Sequence, residues 1–583
     1  MRTLLVSSIQ ELWPTKNPVL FMDVACLKYE ARHIWENLDL AITQSLCFDQ
    51  KTDDADYEVR TQLYKSIFPD VVSFLNNYHG VTYSDRYWRM VIDHWTMRTI
   101  DLIQMRYKKI EKSLGSNLVN EVIVSTERAI KHPEATSYDF YDALYGEPYS
   151  ALVNEEIVRT LALKFTEVQV KEQSLKVDGF AAIKSAKSSI SKIKKFLESF
   201  VASLSRILCH DTDAFFLNIY LPRLKQLLLQ ISFGQAPAIY KNPTWTSNST
   251  DTLTRNFYLG SNQRSTDLEN CVRSLILKLI PKSYLEDYKN INLLTDKVHW
   301  PKTPKLICTA NDYDMNDFFK IWSAKKVEGG TPFYVIQHGN DFEALKHEIA
   351  PEIEYSDRYI TWGWNHKPNC VPGFVIRRTA RRSRKYKKSG TLLMMAAFSR
   401  RNIGSKTKAE FIFFQTRDQQ EFLTKIKNNV KDELVFRIYG FDLRFPGTLE
   451  MWNHFFAESK IKMSFESSFE NFGKSLSRSR IAVFAYFSTG FLECLAADRP
   501  VICFWQNDLN NFSDDVLKDF QHLREVGLIH FTPESAASHV NEYWDDILLW
   551  WNNSEVKRVR QDFAYKYARY SNNPIRDLKK LLL

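Results

Sequence analysis

No C-x-x-C pair occurs anywhere in the 583 residues. The eight cysteines, Cys26, Cys47, Cys209, Cys271, Cys308, Cys370, Cys494 and Cys503, are scattered. That excludes the common zinc and dithiol motifs and fits a reducing compartment. Cys308 and Cys503 sit in apolar, strand-like runs and read as buried thiols. No apolar run approaches the length of a bilayer span. The opening MRTLLVSSIQELWP has too short an apolar stretch for a secretory signal and contains an early acid. A cytoplasmic protein is expected, soluble or peripheral on the inner face of the membrane. Internal repeats and long low-complexity segments are missing, as is any cluster of metal-ligand side chains, so neither a metal nor a cofactor is expected. Strong charge imbalance is missing too: 78 Lys and Arg against 69 Asp and Glu leave a formal charge of +9. That mild excess favours phosphorylated ligands or an anionic membrane surface. Without a nucleic-acid module beside it, it does not point to nucleic acid.

What is present is a globular composition, 44% hydrophobic and 25% charged, on a chain too long for one core. Aromatic residues reach 14%, with 14 Trp, which suits sugar-lined clefts or well-filled cores. Short apolar runs at Thr3–Ser7 and Val19–Met22 open the chain as strands. From Ser84 the pattern turns helical, with Trp88, Val91, Ile92 and Trp95 on one face. Helical signals dominate from about Asn154 to Leu229. Strand and helix then alternate, with strands at Leu306–Thr309, Phe333–Ile336 and Tyr359–Trp362 and a helix at Met315–Lys326. A second βα series follows, with strands at Leu392–Ala397, Leu434–Ile438, Ile481–Ala485 and Val501–Trp505. This alternation predicts parallel sheets with right-handed crossovers. The expected division is an N-terminal Rossmann-like domain over residues 1–375 with a helical insertion at about 110–235, a basic linker over 376–390 (IRRTARRSRKYKKSG), and a C-terminal Rossmann-like domain over 391–583. The last helix, near Glu555–Tyr570, is expected to pack back across the first domain. The basic linker reads as a solvated connector or as a contact with anionic lipid.

Three segments can carry chemistry. In the first, a strand ends at Ser488-Thr489-Gly490 and a helix starts there. That puts free backbone N–H groups and a positive helix end at the carboxyl edge of a parallel sheet, where phosphates bind. Gly490 would let a phosphate approach the backbone. Glu493 could accept both hydroxyls of a ribose. The plainer reading is a Ser or Thr that caps the helix. In the second, the strand Phe333–Ile336 runs into Gln337-His338-Gly339. A histidine at such a strand end can act as general base or bind a phosphate, or it ties down a turn. In the third, Asp312 follows the neighbouring strand, as a base or nucleophile or as capping material. Arg437, inside a strand, could neutralise a leaving phosphate or sit in an internal ion pair. On the early helix, Arg86 and Arg89 could reach a cleft.

At these segments the chain resembles a family of transferases encoded in bacterial O-antigen and surface-polysaccharide loci. The resemblance is near full length. It is carried by ELWP (Glu11–Pro14), Leu20–Asp23, YSDRYWRMVIDHW (Tyr83–Trp95), QHG (Gln337–Gly339), SDRYITWGW (Ser356–Trp364), STGFLECLAADRPVICFW (Ser488–Trp505) and LREVGLIHFTPESAASHV (Leu523–Val540). It implies an α/β, GT-B-like architecture, two Rossmann-like domains facing a cleft, with the nucleotide on the C-terminal one. It also implies sugar transfer from a nucleotide-sugar donor to a glycan or lipid-linked glycan. More distantly the arrangement is similar to capsule Kdo transferases, which use CMP-activated acidic sugars. The same layout could serve polyol-phosphate transfer in teichoic-acid-like synthesis, or a non-catalytic glycan-binding protein. Where relatives continue the histidine motif with a second glycine and a Tyr-Gly pair, this chain has Asn340-Asp341-Phe342-Glu343. By this resemblance His338 and Asp312 are the catalytic candidates. Ser488, Thr489, Gly490, Glu493 and Arg437 would hold the donor, and Gln337, Gly339, Arg86 and Arg89 are candidates for the cleft.

Overall fold

Among the described residues every strand pair is parallel, and the strands form three sheets rather than two. The computed structural model describes residues 1–583 except 15–16, 44–49, 176–208, 261–265, 341–345, 348–349, 378–387, 397–408, 441, 445, 463, 468–470 and 506–511. The first sheet holds β1 (Arg2–Leu5), β2 (Val19–Phe21), β3 (Leu40–Ile42), β4 (Val119–Ser125) and β5 (Gln169–Gln173), in the order β3-β2-β1-β4-β5. The second holds β6 (Phe215–Leu217), β7 (Ile307–Thr309), β8 (Phe333–Ile336), β9 (Arg358–Thr361) and β10 (Cys370–Pro372), in the order β10-β9-β8-β7-β6. The third holds β11 (Thr391–Met395), β12 (Leu434–Ile438), β13 (Ser464–Ser467), β14 (Ser479–Phe484), β15 (Val501–Phe504) and β16 (Ile529–His530), in the order β13-β12-β11-β14-β15-β16.

The protein is thus α/β and Rossmann-like, as expected, but the helical insertion needs correction. The stretch 110–235 contains β4, β5 and β6 as well as helices. The first sheet, not a helical bundle, is the added layer. The miss has a physical reason. β5 reads Gln-Val-Lys-Glu-Gln and leaves four of its five residues exposed, so this edge strand has no apolar alternation to detect. β6 is three residues long.

Nine helices are labelled here: α1 (Gln50–His79), α2 (Asp85–Leu114), α3 (Asp312–Met315), α4 (Asp317–Glu328), α5 (Pro351–Tyr355), α6 (Thr489–Ala496), α7 (Pro533–Tyr543), α8 (Ser554–Tyr567) and α9 (Pro574–Leu582). Ser84 caps α2 by accepting from the Tyr87 N–H. Trp88, Val91, Ile92 and Trp95 are buried, with apolar residues around most of the helix. A helix apolar on several faces belongs between layers, and α2 lies there. Near its start Arg86 donates to the Tyr355 carbonyl at the end of α5. Near its end the Lys109 ammonium pairs with the buried Asp23 carboxylate after β2.

The chain end returns under the second sheet. Leu578 and Leu582 of α9 share a core with Ile336 and Ile360. The Arg569 N–H donates to the Trp362 carbonyl (2.9 Å), and the Val375 N–H donates to the Arg569 carbonyl (2.8 Å). Gly363 has φ +143° at this crossing, and a Cβ there would lie 2.5 Å from the Lys566 carbonyl oxygen, so only glycine fits. This return strap fixes the second sheet against the third. No helix among the described residues is long and apolar enough to cross a membrane.

Candidate functional site

β8 delivers Gln337, His338 and Gly339 to the carboxyl edge of the second sheet. Gln337 is buried, and its amide is bonded through both oxygen and nitrogen. Its Oε1 accepts from the Trp362 N–H (2.7 Å) and the Trp364 indole N–H (2.9 Å), and its Nε2 donates to the Gly339 carbonyl (2.7 Å). Gln337 therefore positions the loop and does not face ligand. His338 is half-buried and stacks on Tyr220, with ring centroids 5.6 Å apart. Tyr220 has φ +59°, a strained conformation for a bulky residue, and the Arg377 guanidinium lies 4.7 Å above its ring.

β14 delivers Ser488, Thr489 and Gly490 to the carboxyl edge of the third sheet. Ser488 stands at the N-cap of α6 but makes no side-chain cap. The capping alternative for Ser488 is therefore not realised. The Phe491 N–H donates to the Ser488 carbonyl (3.0 Å), which leaves the Thr489 and Gly490 N–H groups at the positive end of the helix. Gly490 is needed for a different reason from the one expected: a Cβ there would lie 2.6 Å from Cε1 of Phe484. The Phe484 ring, in the core at the end of β14, fills the space that a side chain would take.

The two edges meet. The Asn340 N–H donates to Thr489 Oγ1 (3.2 Å), the Thr489 hydroxyl donates to Asn340 Oδ1 (3.3 Å), and Asn340 Nδ2 donates to the Phe487 carbonyl (3.3 Å). Glu493, only 6% exposed in its side chain, has Oε1 3.5 Å from Nε of Arg377. His338, Tyr220, Arg377 and Glu493 thus form one chain of contacts between the two sheets, and Asn340 with Thr489 forms a second.

The sequence profile of the LIC12162 family transferases matches residues 2–582. The chain belongs to the LIC12162 family of transferases. No curated protein matches it. Among solved structures, it is similar to MurG of Acinetobacter baumannii at 12% identity, over 50% of this chain and 76% of that one, with a TM-score of 0.29. A glycosyltransferase of Rickettsia africae matches at 10% identity over 64% of this chain and 99% of that one, TM-score 0.33. The wall teichoic acid polymerase TagF matches at 10% identity over 67% and 98%, TM-score 0.33. Likeness at these scores carries no argument about activity.

The remaining candidates in this LIC12162 family member lie elsewhere. Arg437 is buried in an ion pair with Glu466 and donates to Ser475 Oγ (3.1 Å). The ion-pair reading holds, and Arg437 is withdrawn from the donor site because its charge is spent between β12 and β13. Arg86 pairs with Asp357 (2.8 Å), and Arg89 with Glu354 (2.7 Å) and Asp93 (3.1 Å). Both hold α2 to α5 and its following turn. Asp312 stands at the end of β7, the strand beside β8. It lines a separate pocket of about 330 Å³ with no wall from the histidine loop or the Ser-Thr-Gly turn. Burial pushes its carboxyl up, partly offset by the Asn316 and Asn218 amides.

Sequence reasoning missed Tyr220 and Asn340, and it missed Arg377 as a site residue. Nothing in the sequence announces a left-handed tyrosine. The departure at Asn340 was a visible signal, but its partner was not. A buried cluster was also missed: Arg98 pairs with Asp314 (2.6 Å), and His94 Nε2 lies 3.3 Å from Glu352. Arg98 and its neighbours hold Asp314 at about 2 against the cost of burial. Among the described residues no group of three or more His, Cys, Asp or Glu could hold a metal ion. Among the described residues, Cys26, Cys271, Cys308, Cys370, Cys494 and Cys503 are buried and Cys209 is partly exposed.

Proposed function

We propose that this transferase moves a sugar from a nucleotide-activated donor to a glycan of the bacterial surface. The observation that carries the reading is the meeting of the histidine loop and the uncapped α6 start. The amides of Thr489 and Gly490 would receive a donor phosphate on the positive helix end, as anions are received elsewhere. Arg377, one-third exposed and 3.5 Å from Glu493, would swing its charge to that phosphate. This releases the Glu493 carboxylate to accept the ribose hydroxyls. His338, held in orientation by Tyr220, would take the acceptor hydroxyl proton as general base. The leaving nucleotide phosphate would be stabilised by the helix end and Arg377 through charge set in place before reaction. Asn340, bonded to Thr489, borders this site.

The experiment is a thermal-shift and calorimetric panel of CMP, CDP, UDP and GDP on wild type, Glu493→Gln and His338→Ala. One nucleotide should stabilise wild type and His338→Ala, and Glu493→Gln much less. Equal stabilisation of all three proteins, or of none, overturns the assignment.

A further inference from the structure

The pocket at the end of β7 has a composition that the donor chemistry does not use. Its 330 Å³ are lined by Thr136, Asn242, Trp245, Asn311, Asp312, Met315, Asn316, Asp317 and Phe318. Asn311 occupies the N-cap of α3 yet makes no side-chain cap, so its amide is left at the pocket wall. Asn316 does cap, accepting from the Phe319 N–H through Oδ1. The same Oδ1 accepts from Asn242 Nδ2 (2.9 Å), and Asn316 Nδ2 donates to Asp312 Oδ1 (2.7 Å). A chain of planar amides therefore leads to the Asp312 carboxyl. Trp245 is half-buried, one part packed against the core and the rest in the pocket wall.

We infer that this pocket is a binding site for one uncharged pyranose of the acceptor glycan. A pyranose presents an apolar face of axial C–H bonds and a rim of hydroxyls that both donate and accept. An indole receives the first. Planar amides and a carboxyl meet the second with paired hydrogen bonds. Asp312 repels the carboxylate of an acidic sugar, and no Lys or Arg stands among the lining residues to receive one. Asp317 is already committed to Lys320, Ser283 and Tyr284, so Asp312 is the carboxyl that meets a ligand. Position agrees with composition. β7 and β8 are adjacent parallel strands, so their carboxyl ends stand about 5 Å apart, and the pocket opens two residues past the end of β7. A glycan bound here would lie on the sheet edge that also carries His338. In this role Asp312 binds sugar, and the base is His338. The inference rests on the transfer reading only for the word acceptor; the pocket binds sugar whether or not transfer is the reaction.

The test uses the full chain without donor. Methyl glycosides of glucose, galactose, mannose and N-acetylglucosamine are titrated by saturation-transfer NMR and calorimetry, with glucuronate as the charged comparison. At least one neutral glycoside should bind, more tightly than glucuronate. Trp245→Ala and Asn311→Ala should each weaken it by about three- to tenfold, the effect of one lost contact of this class. Trp245→Phe, which keeps an aromatic face, should weaken it less. Equal melting temperatures confirm that the variants fold. Overturning results are no binding by any neutral glycoside, preference for glucuronate, or unchanged affinity in Trp245→Ala and Asn311→Ala. Nucleotide binding is measured separately, so loss of one reading leaves the other standing.

Discussion

Replacing Glu493 by Gln separates a ligand-binding carboxylate from a structural one. The change keeps shape and removes charge. Glu493 is 6% exposed and Arg377 is 34% exposed in their side chains, at a separation of 3.5 Å. A pair open on one side and longer than a good charge-assisted bond contributes little, about 0–1 kcal/mol. Glu493→Gln should therefore shift stability by no more than that. Donor affinity is another matter. Two ribose hydroxyls donating to a carboxylate are charge-assisted hydrogen bonds, and losing the charge costs about 1.5–3 kcal/mol. That is roughly a ten- to hundredfold weaker Kd for the nucleotide. Calorimetry gives the Kd, and a denaturation midpoint gives the stability. A double-mutant cycle with Arg377→Ala completes the case. If Arg377 also grips the phosphate, it too weakens nucleotide binding, and its effect is not additive with that of Glu493→Gln. The reasoning is refuted if Glu493→Gln loses several kcal/mol of stability while its nucleotide Kd stays at the wild-type value.

Other consequences follow from the same geometry. His338→Ala should lower turnover by about a hundredfold to ten-thousandfold with nucleotide affinity retained, read by donor consumption and calorimetry on one preparation. Gly490→Ala forces a methyl to 2.6 Å from the buried Phe484 ring; overpacking of this kind costs about 1–3 kcal/mol, visible as a lower melting temperature. Arg437→Ala leaves Glu466 without its partner and should destabilise by about 3–5 kcal/mol without changing nucleotide affinity once folded. His539 is lowered by burial to about 4. The unfolded chain then binds a proton that the native state refuses, so its contribution is complete above about 6.5 and lost as pH falls toward 4. Between pH 7 and pH 5 that loss is about 2 kcal/mol, and chemical denaturation should show His539→Gln losing less stability over that interval.

The short range of secondary structure made much of this protein readable from its residues. The β8 and β12 boundaries coincide with their largely apolar runs, because a parallel strand buried on both faces is near-continuously apolar; Arg437 in β12 is the exception. The Trp88–Trp95 face of α2 was legible for the same reason. The Ser-Thr-Gly helix start and the QHG strand end could be placed on sheet edges from strand–turn–helix order alone. Polar or very short strands such as β5 and β6 carry no periodic signal, so the first sheet was hidden. Whether Ser488 caps, what Gly490 makes room for, and that Arg437 is consumed by Glu466 depend on partners 6 to 29 residues away. The joining of Asn340 to Thr489, 149 residues on, depends on how two sheets dock. The seating of Tyr220 and Arg377 beside His338 depends instead on how the segments after β6, β8 and β10 converge on one edge of the second sheet. Local sequence sets which groups stand at each strand end. Only the packing of the sheets, whose contacts join residues far apart in the chain, decides which of those ends share a site.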